Sequence, residues 1–263
     1  MKQADRPSIL AVDIGNSTVK CGLFKGAELV RIFRAPTIVT SDTPDWPTFF
    51  VDALAGEHLD RFGLASVVPH VTAEVQSALQ DFTDSDPLLI SPRITLPFSL
   101  DYLTPETLGT DRLAAAAGAW IRFGRSAEPP RNVIVVDAGT AVTLEIVEKS
   151  GVYRGGIISP GPSLTARALS LGTAQLPNVE TSLPVRLIGR STHEAIQSGV
   201  MFGFIESVRG LLQRVIHEVS GPTFVVATGG WAPLLSTHVP SIDTVEPDLV
   251  LQGIYELTRL NHS

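Results

Sequence analysis

The sequence predicts an α/β protein built from two similar subdomains, and three observations carry that prediction. A buried-type strand, Ile9 to Val12, ends in Asp13-Ile14-Gly15-Asn16-Ser17-Thr18 and resumes as a second strand. The same arrangement returns in "NVIVVDAGTAVTLEIV" at 132–147: four apolar residues, Asp-x-Gly, small or hydroxyl residues, and a strand of mixed character. In each half, strands are followed by helical patterns, the order of an α/β layering. Asp13 and Asp137 lie nearly half the chain apart, the spacing expected of a duplicated unit.

The elements follow in order. Strands are predicted near 8–13, 18–24, 28–34, 64–68 and 87–90, with helices near 45–56 and 70–81. A helix from about 111 to 124 carries an alanine run, and "GRSAEPPRN" (124–132) then marks the boundary between a first subdomain, 1–123, and a second, 124–263. The second half has strands near 133–137, 141–147 and 152–158, then helices near 163–172, 191–218 and 248–260. A strand at 223–228 lies among the helices and ends at Thr228-Gly229-Gly230, where another helix starts.

Composition narrows the function classes. With 263 residues, 44% hydrophobic and 18% charged, the chain has an ample core and no disordered or fibrous character. The net charge is −7 with no basic block, which argues against an extended nucleic-acid surface. No apolar run approaches bilayer length, and "MKQADRPSIL" has no signal-peptide pattern, so no membrane association and a cytoplasmic location are expected. Cys21 is the only cysteine and alternates within a strand, the pattern of a small buried hydrophobe. The six histidines show no metal-ligand spacing.

The Asp-x-Gly loops bear the chemistry. A lone Asp-Gly-Asn stretch is equally a hairpin turn. In a phosphate-binding reading, Gly15 adopts backbone geometry closed to other residues and lets the chain approach a ligand. Successive amides around Gly15, Asn16, Ser17 and Thr18 then form an anion nest, with the Asp13 carboxylate placed for a divalent cation. Lys20 shares a strand face with Thr18 and could reach a phosphate, although an exposed strand lysine explains it as well. Gly109-Thr110-Asp111-Arg112 opens the alanine-rich helix: Thr110 or Asp111 can cap its first turn, or Asp111 and Arg112 can serve as a general base beside an anion clamp. The Gly- and Pro-rich stretch 151–177 and Gly229-Gly230 fit either tight turns or a backbone packed closely on a ligand or another subunit. Neither a Walker A sequence nor G-x-G-x-x-G occurs.

Taken in order, Asp13-Ile14-Gly15-Asn16-Ser17, "SVVP" (66–69), Gly109-Thr110-Asp111-Arg112, Asp137-Ala138-Gly139-Thr140-Ala141, "YRGGIISPG" (153–161) and Thr228-Gly229-Gly230 closely resemble the type III pantothenate kinases. The resemblance spans nearly the whole chain. It implies a duplicated ribonuclease-H-like fold of the actin-like and sugar-kinase ATPase superfamily, with ATP held between the halves and pantothenate close to a homodimer interface. By matching position, Asp13, Ile14, Gly15, Asn16, Ser17, Thr18, Val19 and Lys20 would form the ATP phosphate loop, with Mg²⁺ near Asp13, and Thr140 would contact ATP. Tyr102, Gly109, Thr110, Asp111, Arg112 and Thr192 would contact pantothenate, Asp111 would be the catalytic base, and Asp137 would ligate a monovalent cation, K⁺ or NH₄⁺. The implied reaction is ATP-dependent phosphorylation of pantothenate, the entry step to coenzyme A. Two rivals stay open: a related kinase of another small alcohol, and a non-catalytic regulatory protein on the same fold, against which the retention of both Asp13 and Asp111 argues.

Overall fold

The computed structural model describes residues 6–37 and 44–262; residues 1–5, on which the reading of the N-terminus rests, lie outside them. The chain divides into two units. The first comprises Met1–Ile121 and Asp248–Ser263, and the second Arg122–Pro247. This differs from the division expected between 123 and 124. The break itself moves by two residues, and the C-terminal segment belongs to the first unit because its helix buries its apolar face there.

The first unit contains β1 (Ser8–Ile14), β2 (Thr18–Lys25), β3 (Glu28–Pro36), α1 (Trp46–Leu54), β4 (Arg61–Ser66), α2 (Pro69–Leu79), β5 (Leu88–Leu89), β6 (Ser99–Leu100) and α3 (Thr110–Ala119). Five strands form one sheet in the order β3-β2-β1-β4-β5, with β1 antiparallel to β2 and parallel to β4. Alternation divides the strand residues between two faces. Leu10, Val12, Ile14, Cys21 and Leu23 pack against Phe50 and Leu54 of α1 and Val71 and Val75 of α2. β4 begins three residues before the expected strand and ends two residues before its expected end, because Val68 is already the residue before α2, whose first position is Pro69. The expected helix at 111–124 is α-helical to Ala119 and continues as a π-helical turn, Trp120–Gly124.

The second unit contains β7 (Asn132–Ala138), β8 (Ala141–Glu148), β9 (Val152–Pro160), α4 (Pro162–Gly172), α5 (Thr192–Val219), β10 (Thr223–Thr228), α6 (Ala232–His238) and β11 (Thr244–Val245). Its strands run β11-β10-β7-β8-β9, again with the first strand antiparallel to the second and parallel to the strand on its other side. Val142, Leu144 and Ile146 of β8 pack in one core with Phe204, Val208 and Leu212 of α5 and Leu235 of α6.

The final helix, α7 (Leu249–Leu260), lies on the other face of the first sheet. Small residues admit it: a Cβ on Gly22 would sit 3.0 Å from a Leu251 methyl, and one on Gly63 would collide with the Thr258 hydroxyl. Phe24 and Tyr255 stack with ring centroids 4.3 Å apart. α3 meets α7 just as closely, since a Cβ on Gly118 would lie 2.9 Å from the Leu249 carbonyl oxygen. The alanine run Ala114 to Ala117 is buried and makes that approach possible. Among the described residues no helix is long and apolar enough to cross a membrane.

Candidate active site

In the first unit the carboxyl ends of β1 and β4 meet the start of α3, and this places three of the sequence motifs side by side. The first Asp-x-Gly loop closes with the Gly15 amide donating to the Thr18 carbonyl at 3.1 Å. Thr37, buried just after β3, fixes it from the far side: its hydroxyl donates to the Gly15 carbonyl at 2.6 Å and its amide to the Ser17 carbonyl at 3.1 Å. These bonds occupy the carbonyls of Gly15, Ser17 and Thr18. Asn16, Ser17 and Thr18 are exposed, and Gly15 is half-buried.

The conformational argument for Gly15 is corrected by the structure. Gly15 is not among the glycines with positive φ, and a Cβ there would lie 3.4 Å from the Thr18 oxygen, an ordinary contact. The fold does not require glycine at this position.

α3 is anchored to the same corner by Thr110. Its hydroxyl accepts from the Ser66 amide at 2.7 Å and donates to the Ser66 carbonyl at 3.0 Å, and Ser66 pairs with Ile14 across the parallel ladder. That hydroxyl is committed to β4, so Thr110 does not cap the helix. The N-cap is Gly109, without a side-chain capping bond. Asp111 lies in the first turn, and its Oδ1 accepts from the Arg112 amide at 2.8 Å, satisfying one of the helix's orphan donors. The carboxylate folds back over Gly109, where a Cβ would come within 2.6 Å of Oδ1. Asp111 stays half-buried, Arg112 is buried with 9% exposure, and Tyr102 lies half-buried ahead of the turn Pro105–Thr107.

Lys20 is not the exposed strand lysine that its position allowed. It faces Asp13 directly across the antiparallel β1–β2 ladder, and its Nζ lies 2.9 Å from Oδ1 of Asp248, with side-chain exposures of 18% and 24%. Cys21 is fully buried, and its thiol is pushed far above its ordinary range, first by burial and then by the charge of Asp13. It is a core residue, and not a nucleophile.

The second unit holds the remaining candidates. Asp137 ends β7, and the loop after it closes with the Gly139 amide donating to the Ala141 carbonyl at 3.0 Å. Two glycines clasp this loop. The Gly161 amide donates to the Thr140 carbonyl at 3.0 Å, and a Cβ on Gly161 would lie 2.5 Å from the Gly139 oxygen. Gly229 has φ +88°, and a Cβ there would stand 2.6 Å from both the Ala138 oxygen and the Asp137 Oδ1. The Gly and Pro density of 151–177 and 229–230 therefore serves, at these two positions, the protein's own close approaches. Thr192 is exposed at the first position of α5, next to the N-cap Ser191, whose Oγ accepts from the Glu194 amide, while the Glu194 carboxylate accepts from the Arg190 amide.

Sequence reasoning missed Thr37 and Asp248, and gave Ser66 no role beyond its place in "SVVP". Thr37 is a single hydroxyl residue at a strand end. Asp248 was legible only as the start of a helix, because its role depends on α7 returning to the first unit.

The two sheets, with matched strand order and an acid at the end of each first strand, define an actin-like ATPase fold. An archaeal actin homolog, Ta0583, superposes with a TM-score of 0.52 over 96% of this chain and 99% of its own, at 10% identity. The family profile described as type III pantothenate kinase matches residues 9–214. A type III pantothenate kinase of Chlorobaculum tepidum is 37% identical over 99% of this chain and 97% of its own. One from Dehalococcoides mccartyi strain CBDB1 is 34% identical over 99% and 98%. The chain belongs to the type III pantothenate kinase family.

Proposed function

We propose that Asp111 is the general base of the reaction this chain catalyses, the ATP-dependent phosphorylation of pantothenate to 4'-phosphopantothenate in coenzyme A biosynthesis. The observation that carries this role is the corner of the first unit where Asp111 and Arg112 stand at the start of α3, tied through Thr110 and Ser66 to the strand beside the first loop. Phosphoryl transfer needs positioning and charge neutralisation more than covalent chemistry. The exposed loop 15–18 would hold the ATP phosphates through its amides, with Lys20 beside it. Asp111 would take the proton of the pantothenate hydroxyl as it attacks, while Arg112, Tyr102 and Gly109 hold the acceptor. Thr110 would contribute through its backbone, since its hydroxyl is engaged.

The donor chemistry suits the cations expected. Among the described residues no cluster of three or more His, Cys, Asp or Glu could hold a metal alone. Mg²⁺ ordinarily uses one or two carboxylates with substrate phosphates and water, and Asp13 offers one carboxylate at the loop. When bound, Mg²⁺ neutralises phosphate charge. Asp137 faces neutral Thr143 across its ladder where Asp13 faces Lys20, so no lysine competes at that position for a monovalent cation. Thr140, next to Asp137, would contact ATP. A homodimer in the cytoplasm completes the reading: Gly199, Gly203 and Gly210 on α5 have open space where a Cβ would stand, and Val185, Leu187 and Ile188 are exposed. Thr192, exposed at the start of that helix, would reach pantothenate.

Asp111→Asn tests the central role. The amide oxygen can still accept from the Arg112 amide in the first turn of α3, so folding and ATP affinity should be retained. Removing a general base costs about 10²- to 10⁴-fold in rate. Turnover should fall by at least about 10²-fold with an unchanged Tm. Near-normal turnover would reduce Asp111 to a helix-end residue.

A further inference from the structure

Asp248 occupies the N-cap of α7, where an aspartate ordinarily accepts a hydrogen bond from an amide of its own first turn. It makes no side-chain capping bond. Its carboxylate is turned to Lys20 instead, at 2.9 Å and mostly screened from solvent on both sides. The helix behind it cannot easily shift: Leu249, Leu251, Ile254 and Leu257 are fully buried, and Gly253 lies against the backbone of Ala114. Lys20 in turn is the cross-strand partner of Asp13, two residues beyond the loop that ends at Thr18. An otherwise flexible lysine, opposite one acid on the sheet, is thus tied to a second acid on a rigid helix start.

We infer that Asp248 is a positioning residue for nucleotide binding: it holds the Lys20 ammonium at the mouth of the first loop, ready for the ATP phosphates. The inference rests on the first-loop reading above. A free lysine must be ordered when its ligand binds, and ordering one long side chain weakens affinity by about three- to tenfold. Asp248 removes that cost beforehand, at the expense of its own capping bond. The residue acts through Lys20 and touches no reacting atom. It links α7 to the first loop.

Asp248→Asn and Asp248→Ser both leave a favourable N-cap residue at this position and remove the charge. The holoenzyme should show a KM for ATP raised about three- to tenfold, kcat and the KM for pantothenate within about twofold, and an unchanged Tm. In a Lys20→Met background, which itself raises the KM for ATP, neither change should raise it further. A merely structural ion pair would lower Tm and leave the KM for ATP alone. An unchanged or lowered KM for ATP in both Asp248 variants, or an equal effect with and without Lys20, overturns the positioning role while the first-loop reading stands. A Lys20→Met variant with normal KM for ATP overturns the first-loop reading and the inference with it.

Discussion

The two Asp-x-Gly hairpins share a scaffold and differ in chemistry. β1 and β7 have the same order of buried and half-buried positions along their whole length, and so do β2 and β8. Both second strands shift register against the third at the matching place, between Leu23 and Phe24 and between Ile146 and Val147. The loops are where they part. Gly15-Asn16-Ser17-Thr18 is one residue longer than Gly139-Thr140-Ala141, and it is held by the Thr37 side chain and backbone, whereas Gly161 and Gly229 press on the shorter one. The acid at the end of the first strand faces Lys20 in one unit and Thr143 in the other. Burial patterns persist because each sheet must still cover a core; the exposed loop is where the two copies can acquire separate tasks.

The glycines give the largest contrast. Gly229→Ala combines positive φ with overlap against the Ala138 oxygen and Asp137, and backbone strain of this kind alone costs about 1–3 kcal/mol. A loss of at least about 2 kcal/mol, seen as a Tm lower by about 4 °C or more, is expected. Calorimetry showing wild-type stability would mean the loop clasp is slack. A smaller effect is expected beside it in β9. The Tyr153 hydroxyl donates to Glu145 Oε2 at 2.5 Å with both residues fully buried, and Glu145 stands where the first unit has Gly22. Tyr153→Phe withdraws a hydrogen bond from the buried Glu145 carboxyl and should destabilise by about 0.5–1.5 kcal/mol in denaturant unfolding. The smallest effect on folding belongs to Gly15→Ala, within about 0.5 kcal/mol, because the site already has room for a Cβ. Its signature should be a raised KM for ATP. An unaltered KM for ATP would remove the argument that a ligand, and not the fold, needs glycine there.

Much of this was legible in the sequence. The duplicated hairpins, the order of the main strands and helices, and the motif at 109–112 follow from apolar period and turn residues. The two-residue strands at 99–100 and 244–245 are too short to show any period. The membership of α7 in the first unit was hidden for another reason: nothing local at 248–260 says which sheet an apolar helix face will cover. The same long-range pairing hid the Lys20–Asp248 ion pair, and it left an exposed strand lysine open as a reading of Lys20 beside the phosphate contact. Gly15 erred in the opposite direction, since the sequence pattern suggested a backbone need that its actual conformation does not have.

The division of labour between the two loops is tested most directly by titrating K⁺ into a sodium buffer and following ADP release with ATP, Mg²⁺ and pantothenate, for Asp13→Asn and Asp137→Asn side by side. Asp13→Asn should lower turnover severely at every K⁺ concentration while keeping the fold-activation by K⁺. Asp137→Asn should fold normally and lose that activation, because a neutral amide is a weaker cation ligand. The reverse pattern, or a wild-type enzyme indifferent to K⁺ and NH₄⁺, would contradict the assignment of phosphate to the first loop and the monovalent cation to the second.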